Sequence, residues 1–236
     1  MVKLDHRSGS KELMDDPRVD AGILCQTYQQ IKSINRATLG HWPMMTAVKY
    51  FLSRAQGRPV KILDIGCGDG EDLRRIERYG LRMRLPLQLT GIDLSSAAVS
   101  AACRRTVSGK IRFIQGNVLE GGHREDYDFM VTSLTTHHLT EEEIVLLIRW
   151  MTEHSRMGWF ISDLHRHSIA YYFIKYFVRV CRFNPLIRHD APLSVARSFR
   201  RGDWRRLLAR AGFHGGGAGI VWYPNFRYGI RYEKFI

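Results

Sequence analysis

From Val60 onward, compact apolar runs alternate with longer stretches in which apolar residues recur every three or four positions. Compact runs bounded by turn-forming residues read as buried strands, and the longer stretches as amphipathic helices. The pattern predicts strands at Val60–Ile65, Leu87–Asp93, Ile111–Gln115, Tyr127–Ser133 and Gly158–Asp163. Helices fall between them at Glu71–Tyr79, Ser95–Thr106 and Glu141–His154, the last opened by the capping-box pair Thr140 and Glu143. This alternation indicates an α/β fold with a parallel sheet. A further helix near Asp203–Ala211 ends at Gly212. Two closing strands, Gly219–Tyr223 and Arg227–Phe235, flank Pro224-Asn225 as an antiparallel pair.

Two segments stand outside the alternation. In Pro17–Tyr50, the residues Ile23, Leu24, Thr27, Tyr28, Ile31 and Ile34 recur at helical spacing, with Asp16-Pro17 placed to start the helix. After Asp163 an insertion runs to about Phe199, too long for an ordinary connection. Within it, Ser168–Phe183 is aromatic and aliphatic apart from Lys175, Arg179 and Arg182, which follow i, i+4, i+7 spacing. An amphipathic helix of this kind can roof an apolar pocket, lie on an anionic membrane surface, or pack on the core.

Composition narrows the class. A chain of 236 residues with 44% hydrophobic and 25% charged residues can bury one sizeable core, which excludes disorder. The polar start, MVKLDHRSGSKELMDDP, lacks the apolar centre of a signal peptide, and no run of about 18 apolar residues suggests a transmembrane helix. Cys25, Cys67, Cys103 and Cys181 are scattered, which suggests reduced thiols in a cytoplasmic protein. The net charge of +13 is concentrated between Arg149 and Arg210, where thirteen Lys or Arg face four acids. Such a segment can attract nucleic acid, a membrane surface or an acidic substrate, or be a solvated basic face.

The densest chemical signal is Ile62-Leu63-Asp64-Ile65-Gly66-Cys67-Gly68-Asp69-Gly70, between a buried strand and a helix. Glycines let a ligand approach the main chain, and dinucleotide-binding domains use a similar turn. A pyrophosphate, however, needs a positive helix N-terminus, whereas Asp69, Glu71 and Asp72 crowd this one with negative charge. The same acids suit a ligand carrying an ammonium and a sulfonium.

The run DIGCGDG resembles the first signature of the class I S-adenosylmethionine-dependent methyltransferases, and other signatures follow in order. Gly91-Ile92-Asp93-Leu94-Ser95 resembles the second, whose acid holds the ribose hydroxyls. Ile114-Gln115-Gly116-Asn117-Val118 resembles the third, with Asn117 where the family usually has the Asp that pairs with the adenine amine; an amide oxygen can still accept from that amine. Ser133-Leu134-Thr135-Thr136-His137-His138-Leu139 resembles the segment lining the methyl-transfer site. The resemblance implies S-adenosyl-L-methionine as cofactor, held by Asp64, Gly66, Cys67, Gly68, Asp69, Asp93, Leu94, Asn117, Val118 and Ser133. It also implies a Rossmann-like fold with a seven-stranded, mostly parallel sheet and a terminal antiparallel strand. One methyltransferase domain over 1–236 is expected, with an N-terminal helical lid (17–50), a donor-binding core (60–163), an acceptor-lid insertion after the fifth strand (164–199), and a closing helix and strands (200–236).

The phrases MDDPRVDAGILCQTYQQIKSINRATLGHW, ISDLHRH and RHDAPLSVARSF resemble a bacterial subgroup associated with type III polyketide synthases. That resemblance implies a phenolic, polyketide or quinonoid acceptor, a small hydrophobic molecule methylated on oxygen or on an aromatic carbon. His137, His138 and His165 are the candidate bases among ten histidines, because an imidazole can take a hydroxyl proton at neutral pH. Asp163 can orient or replace that base. No carboxylate cluster suited to magnesium is visible, so no metal is expected.

Two other functions remain open. The positive charge suits an RNA methyltransferase, although the Asn-Pro-Pro-Tyr-like turn of DNA amino-methylating enzymes is replaced by Ser133-Leu134-Thr135-Thr136. No RRM or KH motif appears, which makes nucleic acid the lesser expectation. A donor-binding regulator without catalysis is the other.

Overall fold

The computed structural model describes residues 4–16, 18–55, 57–120, 125–215 and 217–234. Its centre is a seven-stranded sheet in the order β3-β2-β1-β4-β5-β7-β6. β1 (Val60–Ile65), β2 (Leu87–Asp93), β3 (Ile111–Gln115), β4 (Tyr127–Ser133) and β5 (Ser155–Leu164) pair in parallel. β7 (Arg227–Glu233) runs antiparallel between β5 and β6 (Ala218–Tyr223). The first four strands match their sequence-derived bounds. β5 is longer than expected, and Phe235, expected to end the last strand, lies outside the described residues.

Alternation along the strands separates two cores, because successive side chains leave a strand on opposite faces. Leu63, Ile65, Trp159 and Ile161 pack with α5 (Glu141–His154) and α8 (Arg201–Arg210), while Ile62, Phe129 and Phe160 pack with α2 (Trp42–Ser53) and α3 (Glu71–Met83); α4 (Ser96–Arg105) joins β2 to β3. Both faces of the sheet are therefore covered. The predicted capping box is present: Thr140 Oγ1 accepts from Glu143 N, and the Glu143 carboxylate accepts from Thr140 N.

The additions differ from expectation in detail. The N-terminal segment folds as α1 (Ala21–Ala37) and α2, with a break between them where Leu39 takes φ 53°. α1 starts at Asp20, whose carboxylate accepts from Gly22 N and Ile23 N, and not at Asp16. Pro17 lies outside the described residues. Asp16 is instead occupied by Arg18. The insertion forms α6 (Ser168–Val180) and α7 (Pro185–Arg197), packed through Ala170, Ile174, Val178 and Ile187 with Ile31 and Ile34 of α1. Arg182 lies beyond α6 in a left-handed turn, so the cationic stripe on the helix is Lys175 and Arg179.

Residues 4–16 cross the mouth of the sheet, tied down by arginines. Arg166 donates to the carbonyls of Leu4 and Ser198 and to Asp203; Arg197 donates to those of Ser10, His137 and His138. Both side chains are buried. Part of the positive charge read as a basic surface therefore joins the inside of the fold.

Candidate active site

The turn after β1 is the first element of the site. Gly66 and Gly68 have φ of 72° and 53°, in the left-handed region that disfavours side chains. A Cβ on Gly66 would collide with Thr135, and one on Gly68 would sit 3.6 Å from the Tyr28 ring. The loop is fixed from beneath by Asp93, whose Oδ2 accepts from Gly68 N at 2.8 Å and whose Oδ1 accepts from Ser95 N at 2.9 Å. Burial raises the Asp93 carboxyl despite those bonds. Asp64, at the end of β1, is buried beside Asp72 and Asp93, and burial followed by those charges pushes it well above the carboxylate range.

The acids read as free negative charge are largely paired. Asp69 meets Arg105 and Arg74, Glu71 meets Lys32, Arg74 and Arg75, and Asp72 lies 2.6 Å from His41 Nδ1. They cannot all be spent on a cationic ligand. Asn117 uses its amide oxygen to accept from Leu119 N, fixing the turn after β3, and its amide nitrogen donates to Glu120. Val118 is buried, and Leu94 is exposed at the rim.

A cavity of about 490 Å³ opens beside this loop at the C-terminal ends of the strands. Gly66, Cys67, Gly68, Asp69 and Ser133 line one end, with Tyr28 and Asp64. Ile169, Phe173 and Ile174 of α6, Ile187 and Val195 of α7, and Ile31 and Ile34 of α1 form its apolar roof. Burial pushes the Cys67 thiol and the Tyr28 phenol up, so both stay protonated beside the loop. Asp93, Leu94, Asn117 and Val118 lie outside this lining.

The polar end of the cavity holds Glu12, His137 and His138. Asp163 Oδ2 accepts from His137 N at 2.9 Å and from the Thr136 hydroxyl, while Oδ1 lies 2.7 Å from His137 Nδ1. Burial alone would raise Asp163, but His137 and the hydrogen bonds prevail and hold it at about 2. Glu12 Oε1 accepts from the Ser194 hydroxyl at 2.9 Å and lies 3.6 Å from His137 Nε2. His138 Nδ1 lies 3.0 Å from Asp15 Oδ2. Burial lowers His138, yet Asp15 and Glu12 outweigh it and leave the group raised. Asp190 anchors the Leu13–Asp15 turn by accepting from Leu13 N and Met14 N, which places Glu12 and Asp15 over the histidines.

His165 is not brought to this group. It stacks among His167, Phe226 and Tyr228, its Nδ1 accepts from Trp222 Nε1, and burial with neighbouring cations lowers it to about 4. Arg227, which the sequence did not single out, is buried in the cavity wall. Its Nη2 donates to Asn35 Oδ1, whereas Nε and Nη1 have no partner among the described residues; burial lowers it to about 10. Glu12 was missed because a short polar segment carries no periodic signal, and Asp15 lay within MDDPRVDAGILCQTYQQIKSINRATLGHW, singled out only as a phrase. Asp190, Ser194 and Arg197 lay within RHDAPLSVARSF, which was singled out only as a phrase.

Comparison with known proteins agrees with this architecture. Residues 62–158 match the family model described as a methyltransferase domain. The chain is 25% identical over 153 residues to the Haemophilus influenzae protein named "Probable S-adenosyl-L-methionine-dependent methyltransferase TehB", covering 62% of this chain and 48% of that one. It is thus matched over about half the length of that curated relative. An mRNA cap guanine-N(7) methyltransferase of Meyerozyma guilliermondii is 37% identical over 92 residues, 35% of this chain and 15% of the other. Among solved structures, the plantazolicin methyltransferase BpumL in complex with SAH superposes with a TM-score of 0.65 at 18% identity, over 90% of this chain and 94% of that one. Magnesium protoporphyrin IX methyltransferase (ChlM) from Synechocystis PCC 6803 gives 0.59 at 14% identity, over 87% of each chain. The fold is that of the class I methyltransferases.

Proposed function

We propose that this chain is an S-adenosylmethionine-dependent methyltransferase acting on a small hydrophobic acceptor, at the hydroxyl of a phenolic, polyketide or quinonoid compound. One observation carries the reading: a single cavity runs from the glycine loop to an apolar roof and ends at paired histidines and a buried glutamate. The donor end and the acceptor end thus share one space.

The loop fits the donor. Gly66 keeps its main chain bare where a Cβ would strike Thr135, Gly68 holds a left-handed backbone, and Asp93 lies at the end of β2, where a carboxylate can accept from ribose hydroxyls. When bound, the donor supplies a methyl group activated on a positively charged sulfur. Gly66, Cys67, Gly68, Asp69 and Ser133 hold it against the cavity, with the Asp64 carboxyl beside the loop and Tyr28 covering it. The adenine side belongs to Leu94, Asn117 and Val118, around the ends of β2 and β3.

The roof formed by α6 and α7 excludes water and holds the acceptor in line, which accounts for much of the rate in a displacement of this kind. Asp163 orients His137, and the proton of the acceptor hydroxyl leaves toward the polar end at His137, His138 and Glu12. The phrases ISDLHRH and RHDAPLSVARSF supply Asp163, Asp190, Ser194 and Arg197 around this end, in keeping with the polyketide-associated subgroup. Four unpaired cysteines among the described residues suit the cytoplasm, where thiols stay reduced. No described helix is long and apolar enough to cross a membrane.

The test is turnover. The purified full chain, supplied with S-adenosylmethionine and a panel of alkylated phenols, should release S-adenosylhomocysteine and give a methylated product by mass spectrometry. Product formed on RNA and on no phenol, with salt-dependent RNA binding, would replace this reading with the nucleic-acid one. Donor binding without turnover on any acceptor would favour a regulator.

A further inference from the structure

We propose that Glu12, His137 and His138 form a binding site for one divalent cation of the zinc type. The geometry is that of ligands around a gap. His137 Nε2 lies 3.6 Å from Glu12 Oε1 and His138 Nε2 lies 3.9 Å from Glu12 Oε2, and one ligand atom from each residue falls within 4.8 Å of the others. These separations are too long for hydrogen bonds. A zinc ion about 2.0–2.2 Å from each atom would set them roughly 3.3 Å apart, so the two histidine–glutamate gaps would close by a few tenths of an ångström and the widest separation by at most about 1.5 Å.

The remaining ring atoms are already committed. His137 Nδ1 lies 2.7 Å from Asp163 and His138 Nδ1 lies 3.0 Å from Asp15. The two carboxylates occupy the Nδ1 sides of the rings, which leaves the Nε2 sides turned toward Glu12. Carboxylates in this position orient and strengthen metal-bound histidines. Glu12 is itself held by the Ser194 hydroxyl, and its side chain is 1% exposed. Among the described residues, no Lys or Arg lies within ion-pair distance of Glu12. The Arg197 guanidinium is spent on the carbonyls of Ser10, His137 and His138.

Two histidines and one glutamate leave a fourth position open, and here all three residues line the cavity. Three protein ligands with an open position are the pattern of a catalytic zinc rather than a structural one. On the proposed methyl-transfer reading, a cation held there would acidify an acceptor hydroxyl, in place of the base role given to the two histidines: the proton would leave through the cavity mouth, the oxygen would take the methyl as the donor's carbon–sulfur bond breaks, and S-adenosylhomocysteine would depart. The cation site itself stands on the side chains alone. No spacing motif marks the site, because Glu12 lies far from His137 along the chain.

The test does not need the acceptor. The full chain, stripped with a chelator, is titrated with Zn²⁺ by calorimetry and with Co²⁺ by visible absorption. One equivalent should bind per chain, with the intense cobalt spectrum of a four-coordinate nitrogen–oxygen site. Glu12→Gln and His138→Ala should lose that spectrum, and Asp15→Asn should weaken the affinity about 10–100-fold. Calorimetry with S-adenosylhomocysteine serves as the folding control for each variant. No stoichiometric uptake by the wild-type chain, or a cobalt spectrum unchanged in the folded Glu12→Gln and His138→Ala variants, overturns the site. Turnover of an accepted phenol that is unaffected by stripping would overturn the cation's part in the reaction and leave the methyltransferase reading intact.

Discussion

Asp163 grips His137 at two points, accepting from its main-chain nitrogen at 2.9 Å and lying 2.7 Å from its ring Nδ1. The next-to-last residue of β5 thereby sets both the position and the orientation of an imidazole that follows β4. Asp163→Asn keeps the shape and replaces the carboxylate oxygen facing Nδ1 or the main-chain nitrogen with an amide. Turnover should fall by roughly 10²–10⁴, the range for losing a positioned proton-transfer group, while S-adenosylhomocysteine affinity stays within a few-fold. Equal loss of donor binding would mean that the bond serves the fold and not the reaction.

Asp93 makes a second prediction, because it both shapes the glycine loop and faces the donor side. Asp93→Ala should weaken donor binding by tenfold to over a hundredfold, as expected for charged hydrogen bonds worth about 1.5–3 kcal/mol. A 2′-deoxy donor analogue separates the two effects. Were Asp93 to act on the ribose, the analogue would bind the wild type weakly and lose little more in Asp93→Ala. An equal further loss would assign the effect to the loop.

The two glycines of that loop should differ. Gly66→Ala places its methyl against Thr135 and adds a left-handed backbone cost of about 1–2 kcal/mol. Gly68→Ala meets only the Tyr28 ring at 3.6 Å and bears the backbone cost alone. Thermal melts should show Gly66→Ala as the less stable variant, and Gly66→Val as worse still. The opposite order would mean that Thr135 yields easily.

The sheet was legible because buried strands have a short period and hard boundaries, and the bounds of β1 to β4 came directly from their apolar runs. The donor side was legible because its glycines and Asp93 lie next to strand ends. The polar end of the cavity was not. Glu12, Asp15 and Ser194 reach His137 and His138 through the folding of residues 4–16 over α7, and no local pattern encodes that path. His165 was misplaced for a related reason: one residue beyond β5, its side chain turns toward β7 and Trp222 instead of the cavity.

The roof helix α6 yields a fourth prediction. Phe173 lines the cavity while remaining 55% exposed, and Ile169, Tyr176 and Val180 continue an exposed apolar edge beside Lys175 and Arg179. Phe173→Ala should raise the KM for an alkylated phenol more than it lowers kcat, because it removes wall area rather than a reacting group. The same edge should not hold the protein on anionic vesicles at physiological salt. Tight co-sedimentation, abolished by replacing Lys175, Arg179 and Arg182 with Gln, would give α6 a membrane role instead.

Arg197 connects the lid to the reacting end and supplies the last prediction. One guanidinium donates to the carbonyls of His137, His138 and Ser10 at 2.9, 3.0 and 2.7 Å, so it clamps the N-terminal segment onto the turn after β4. Arg197→Met keeps most of the volume and removes the donors to these three carbonyls, of which that of His137 keeps a long bond from Arg7 Nη2. Each unsatisfied group costs about 1–3 kcal/mol, although the exposed rim at Ser10 regains water at little cost. The variant should melt several degrees lower, and limited proteolysis should cut near residues 8–12 before the sheet is attacked. Donor affinity should change little, since the glycine loop and Asp93 do not touch this clamp. Arg197→Lys, with fewer donors, should restore part of the melting temperature and little of the protection from cleavage, because a single ammonium cannot span three carbonyls. Protection unchanged in Arg197→Met would show that Arg7, whose Nε donates to the Arg197 carbonyl, and Arg166 hold the segment without it.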